Sequence, residues 1–226
     1  MHVEWYGQSS FALRGGPTTV FLDPFGDMSA AAAHGIRFDY PPITGVDADL
    51  LLVTHEHRDH NAVEAIDGSP AVLRSTAGRL ESPIGEILAV ASEHDAAAGT
   101  ERGPNTIFAF DFDGVRVCHF GDFGQADLRP EQEAALGSVD LLFIPVGDGP
   151  TIGAAAAADI ARRLNARWVV PMHYRTPRIS FLDTADAFLE LMPSVRRVDE
   201  PRFDTATLVA AGRDAAGPIA VAPAAP

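Results

Sequence analysis

Cysteine is nearly absent from this 226-residue chain; Cys118 stands alone. An intrachain disulfide and a thiolate zinc cage are therefore excluded. The run Val115-Arg116-Val117-Cys118-His119 around it predicts a small core residue instead. Basic side chains are also scarce: 17 Lys and Arg face 31 Asp and Glu, a formal net charge of -14. A surface that acidic repels phosphates, so nucleic-acid binding is not expected, whereas bound dications would offset the charge locally. No apolar run approaches the ~20 residues that span a bilayer, which argues against a membrane partner. No signal peptide is visible either, because residues 1–6 already read as a strand. The cytoplasm is the expected address.

What the chain does have is histidine, unevenly spread. Three of its eight histidines and one aspartate fall in His55-Glu56-His57-Arg58-Asp59-His60. The cluster follows the apolar run Leu50–Val53, which predicts a buried strand giving way to a loop. Imidazole and carboxylate are the usual N and O ligands of zinc and related divalent ions. Side chains two apart on an extended segment share a face, so His55 and His57 can clamp one ion. Asp59 and His60, beyond a bend, can face a second.

Further candidates also follow apolar runs. His94 comes after Ile87–Val90, and the competing reading is a surface histidine on an acidic loop. Asp122 lies between Gly121 and Gly124, where a carboxylate can bridge two cations, or else make an ordinary turn. His173 follows Val169-Val170-Pro171-Met172. His119 shares a strand face with Val115 and Val117, which favours supporting a ligand carboxylate over binding an ion. Arg175 and Arg178, just past His173, are candidates for an anionic group of a small-molecule substrate, or for a basic patch on the surface. No Ser/His/Asp triad or phosphate-cradling loop competes.

Three short strands, Val3–Tyr6, Ser10–Arg14 and Thr18–Leu22, are predicted to form an antiparallel meander. A long segment, 24–46, follows and is expected to shape specificity. Asp113-Gly114 predicts a hairpin between Thr106–Phe112 and Val115–Phe120. Helices are expected at Pro130–Leu136, Gly153–Asn165 and Thr184–Met192, and strands at Leu141–Val146 and Trp168–Val170. Strands alternating with helices imply sheet flanked by helix. A single domain over residues 1–209 is expected. Residues 210–226, rich in Ala, Gly and Pro, read as a frayed tail.

At this point the sequence resembles the metallo-β-lactamase superfamily. The motif His-x-His-x-Asp-His stands intact at residues 55–60. The fuller resemblance is to the zinc-dependent hydrolase branch related to L-ascorbate-6-phosphate lactonase. Trp5-Tyr6-Gly7-Gln8-Ser9-Ser10-Phe11, Phe21-Leu22-Asp23-Pro24-Phe25, Gly103-Pro104-Asn105-Thr106, His119-Phe120-Gly121-Asp122, Ile144-Pro145-Val146-Gly147 and Val170-Pro171-Met172-His173-Tyr174 carry it. The resemblance implies an α+β, four-layer αββα sandwich and a site for two divalent metals, most simply zinc, with manganese, iron or nickel as options. Metal one would take His55, His57 and His94; metal two would take Asp59, His60 and His173; Asp122 would bridge. Asp59 and Asp122 would be the catalytic carboxylates, and Asp23 would support the cluster without binding. The implied activity is hydrolysis of a phosphodiester, lactone or similar small ester by a hydroxide held between the metals. The rival readings are a mononuclear iron oxidoreductase, which would leave half the ligands idle, and a non-catalytic metal-binding protein. Three residues depart from the family pattern: Glu56 and Arg58 stand where many relatives have glycine, and Phe123 where threonine is frequent.

Overall fold

The computed structural model describes residues 1–211 and 217–226. In chain order the elements are β1 (His2–Gly7), β2 (Ser10–Gly15), β3 (Thr18–Leu22), β4 (Leu50–Val53), β5 (Ala71–Arg74), β6 (Gly78–Ser82), β7 (Gly85–Glu93), β8 (Pro104–Phe112), β9 (Val115–His119), α1 (Pro130–Leu136), β10 (Leu141–Pro145), α2 (Ala154–Arg163), β11 (Trp168–Met172), α3 (Asp186–Leu191), β12 (Ser194–Val198), β13 (Arg202–Asp204), α4 (Thr205–Ala211) and β14 (Ile219–Pro223). They form two sheets. One runs β13-β1-β2-β3-β4-β5, the other β12-β14-β11-β10-β9-β8-β7-β6.

Alternation of side chains builds the layers. Val3, Trp5, Phe11, Leu13, Val20, Leu22, Leu50 and Leu52 of the first sheet meet Phe108, Phe110, Val117, Leu141, Phe143, Val170 and Met172 of the second. The intervening residues of the second sheet, among them Ile107, Ala109, Cys118, Leu142, Ile144 and Val169, face a second core beneath the helices. Leu136, Ala157, Ile160, Ala161 and Phe188 cover them from α1, α2 and α3. On the outer face of the first sheet Phe21, Leu51 and Val53 pack under the 24–46 segment and residues 179–182. That outer layer is thin, built from short 3-10 turns at Ser29–His34 and Val63–Ala65 rather than α-helix. The architecture is the expected sandwich of two sheets, with its regular helices concentrated over the eight-stranded one.

The predicted meander forms β1 to β3, with antiparallel register throughout. The hairpin closes at Phe112 and Val115, with Asp113 and Gly114 both at positive φ, as a tight primed turn requires. The reading of 210–226 as a frayed tail is overturned where the structure describes it. Residues 212–216 lie outside the described residues, but β14 inserts parallel between β11 and β12. Ile219 and Val221 point into the core between the sheets, and Ala220 and Ala222 into the helical core. Alanine and proline conceal a strand whose two faces are both buried; small residues suit the helix-facing side.

Four parallel pairings, β3 with β4, β4 with β5, β9 with β10 and β10 with β11, point strand ends towards common edges. Backbone bonds tie the relevant edge together. The Thr106 amide donates to Thr54 O at 3.0 Å across the sheets. The Gly124 amide donates to Glu93 O at 2.9 Å, and the His173 amide to Gln8 O at 3.4 Å.

Candidate metal centre

The ligand-type residues gather at that edge in two groups. His55, His57 and His94 form one; Asp59, His60, Asp122 and His173 form the other, with donor atoms in each within 4.8 Å of one another. Asp122 lies between them. Its Oδ2 is 3.2 Å from His94 Nε2 and 3.1 Å from His173 Nε2, and its Oδ1 is 3.3 Å from His60 Nε2. One carboxylate thus touches imidazoles of both groups. His57 is exposed and Asp59 part-exposed, so the cluster opens to solvent past these two; the other five are buried.

Three of the rings are aimed by their other nitrogen. His94 Nδ1 donates to Pro150 O at 3.0 Å, and His55 Nδ1 is 3.0 Å from the Thr54 hydroxyl. His60 Nδ1 is 3.0 Å from Asp23 Oδ2. Asp23 is fully buried and also takes the Thr54 amide at 2.7 Å, the Thr54 hydroxyl at 2.8 Å and His119 Nε2 at 3.1 Å. It therefore orients His60 and holds the end of β4 without joining either group. His119 sits behind it, between Phe11 and Phe143, as the strand pattern predicts.

Close backbone approach makes the cluster possible. A Cβ on Gly121 would lie 2.5 Å from the Thr54 hydroxyl and from Asn105 Oδ1. One on Gly124 would lie 2.5 Å from the His94 carbonyl. Only glycine fits both places. Asp23 and His173 hold positive φ, at 45° and 50°, a conformation L-residues rarely adopt and one that collects at functional sites.

The electrostatics of the two groups differ. Burial, reinforced by the nearby His60 charge, pushes the His55 imidazole down to about 3. Burial and the neighbouring His94 likewise lower His57. Burial also favours a neutral His60, but Asp122, Asp59 and Asp23 outweigh it and raise that imidazole well above its ordinary value. Against the burial that opposes its charge, His60 holds the Asp59 carboxyl at about 2. His173 and His60 in turn hold the buried Asp122 well below the carboxylate range.

A divalent ion fits this arrangement. His55 Nε2 and His60 Nε2 are buried and make no hydrogen bond among the described residues. An unsatisfied buried polar atom is costly. Nitrogen lone pairs turned on shared carboxylates are the donor set that borderline divalent cations prefer.

Residues 2–173 match the family model described as the Beta-lactamase superfamily domain. The chain belongs to that family. A UPF0173 metal-dependent hydrolase of Heliobacterium modesticaldum is 30% identical over 94% of this chain and 100% of its own length. One from Nitratidesulfovibrio vulgaris is also 30% identical, over 77% of this chain and 80% of its own. Among solved structures, a Thermotoga maritima protein assigned to the zinc-dependent hydrolases of the metallo-beta-lactamase superfamily superposes with a TM-score of 0.75 at 28% identity, covering 99% of both chains. The family fold accounts for the position of all seven candidate ligands at one sheet edge.

Several residues take places that their spacing did not announce. The Ser9 hydroxyl donates to Asp122 Oδ1 at 3.3 Å, and Asn105 Oδ1 accepts the Asp122 amide at 3.1 Å. Both lie in motifs that carried the family resemblance, which was the available signal. Glu56 turns aside to Arg74, Ser75 and Asn61. The Arg74 guanidinium first, and then these hydroxyl and amide donors, draw its carboxyl down to about 2 against the opposing effect of burial. Phe123 is buried against Phe120 in the helical core, so its departure from threonine is a packing choice. Arg175 and Arg178 do not reach the cluster. Arg175 lines a surface cleft with Thr184, Asp186 and Arg197, and the Arg178 guanidinium donates to the carbonyls of Pro226 and Asp39. No helix of the described residues is long and apolar enough to cross a membrane.

Proposed function

We propose that the chain is a metal-dependent hydrolase with a site for two divalent ions, acting on a lactone, phosphodiester or similar small ester. His55, His57 and His94 would hold the first ion; Asp59, His60 and His173 the second; Asp122 would reach both. The observation that carries this reading is the Asp122 carboxylate, within 3.3 Å of imidazoles from both groups. The names of the relatives agree with it. When bound, the ions would supply Lewis acidity, drawing a water's pKa towards neutrality and polarising the scissile oxygen. Three imidazoles on the first group suit zinc, the ion assigned to the Thermotoga relative, while manganese, iron and nickel share the donor chemistry.

The chain's own part is arrangement. Pro150 O takes the His94 Nδ1 proton and leaves Nε2 free to ligate. Asp23 does the same for His60 and, through Thr54, fixes the end of β4. Asp59, part-exposed and ionised at neutral pH, is the carboxylate at the open side of the cluster, able to hold a water's proton during attack. A single-iron oxidoreductase would leave Asp59, His60 and His173 without a task. The test is hydrolysis of a panel of lactones, phosphodiesters and aryl esters by protein loaded with zinc, manganese or iron. Turnover that disappears on chelation and returns with metal supports the reading. No turnover on any ester, with dioxygen consumed by an iron-loaded form, overturns it.

A further inference from the structure

A cleft of about 1010 Å³ lies under the 24–46 segment. That is the scale of a pocket for a small organic molecule. Its walls are aromatic. Phe25 and Phe38 stand edge to face at 5.2 Å, and Phe38 and Tyr40 at 5.3 Å. Its charged lining is acidic: Asp27, Asp39 and Glu64 face Arg37 alone. Arg37 is 3.7 Å from Asp39, and Glu64 acts on the Arg74 guanidinium from beyond ion-pair distance. Asp27 accepts the Ser29 amide at 2.8 Å, and neither it nor Glu64 forms an ion pair among the described residues.

Three chain segments link the cleft's walls to the candidate metal centre. Phe25 is two residues past Asp23, and Glu64 four past His60. The Ala62 amide donates to Pro24 O at 2.9 Å and locks these two walls together. The Tyr40 hydroxyl, 3.0 Å from the Thr176 hydroxyl, joins the cleft to the segment carrying His173.

We propose that this cleft receives the apolar, positively charged end of the substrate, such as an aryl or branched-alkyl ammonium attached to the ester. Ring faces attract a cation, and in the cleft's lining the carboxylates of Asp27, Asp39 and Glu64 outnumber the Arg37 guanidinium. The assignment of this occupant as substrate rests on the hydrolase reading; its binding does not.

Binding is read by calorimetry on the metal-loaded protein with benzyltrimethylammonium, which has no lone pair to offer a metal, against neutral benzyl alcohol. The cation is expected to bind about tenfold more tightly, Phe38→Ala to weaken both ligands, and the exposed Glu64→Gln to erase most of the preference. Equal binding of cation and alcohol, or binding untouched by Phe38→Ala and Glu64→Gln, overturns the proposal. Turnover of matched cationic and neutral esters then separates the two readings. Metal-dependent hydrolysis with no cation preference removes the cleft assignment alone. Cation binding without hydrolysis of any ester removes the hydrolase reading and leaves the cleft a binding site.

Discussion

The two halves of the cluster are built from different materials. The His55, His57 and His94 half is three imidazoles, two of them oriented by neutral groups: His55 by the Thr54 hydroxyl and His94 by the Pro150 carbonyl. The Asp59, His60, Asp122 and His173 half is steeped in charge, with Asp23 behind it. Without a cation His55 and His57 settle by staying neutral, whereas the second half holds a proton on His60 between three carboxylates. On the two-ion reading, the first group would receive an ion without releasing a proton from His55, and the second would exchange the His60 proton for an ion.

Asp122 is the candidate ligand that touches imidazoles of both halves, so its loss should have the largest effect. Asp122→Ala is expected to remove several kcal/mol of charge stabilisation, lowering kcat/KM by ~10³-fold, with metal per chain falling as well. Steady-state kinetics beside metal analysis would show it; full activity would mean the halves are independent. Asp23→Asn should weigh more on the second half. It frees His60 directly, reaches His55 only through Thr54 and leaves His94 and Pro150 intact, so affinity for the second ion should fall ~10–100-fold and that for the first by less. Competition with a chromophoric chelator reads the two separately, and equal weakening of both would break the comparison.

The halves should also differ in pH dependence. A raised His60 is protonated in the metal-free fold, so filling the second site must expel that proton, and affinity there should rise with pH up to the folded pKa of His60. His55, lowered to about 3, is already neutral at pH 7 and releases nothing. Titration calorimetry in two buffers of different ionisation enthalpy should find about one more proton released for the second ion than for the first. The sign for stability follows the same groups. The raised His60 stabilises the metal-free fold below its unfolded pKa, and that contribution is lost as pH climbs through the folded value. Asp59, lowered to about 2, contributes above its unfolded pKa and fails as pH falls through the folded one. The smallest effect belongs to Glu56. Its pairing with Arg74 is about half exposed, so Glu56→Ala should cost under about 1 kcal/mol by thermal denaturation and leave metal content unchanged.

The ligands were legible because each follows an apolar strand, and strand ends place side chains at one edge whatever the loops do. His119 was legible for the same reason, from its alternation with Val115 and Val117. What could not be read came from partners distant in sequence. Ile219–Pro223 looks like tail until β11 and β12 bury it on both sides. Ser9 and Asn105 bond Asp122 from 113 and 17 residues away. Glu56 sits among ligands in the sequence, but its direction is set by Arg74 on the neighbouring strand. Arg175 and Arg178 follow His173 directly, and a loop turns them elsewhere.

The central claim is that two ions share this edge. Metal titration of wild type and Asp59→Ala, followed by mass spectrometry under native conditions, tests it most directly. Two ions per chain in wild type and one in Asp59→Ala, with the remaining ion at its original affinity and hydrolysis lost, is the predicted result. One ion in both proteins, with activity intact in Asp59→Ala, would contradict it.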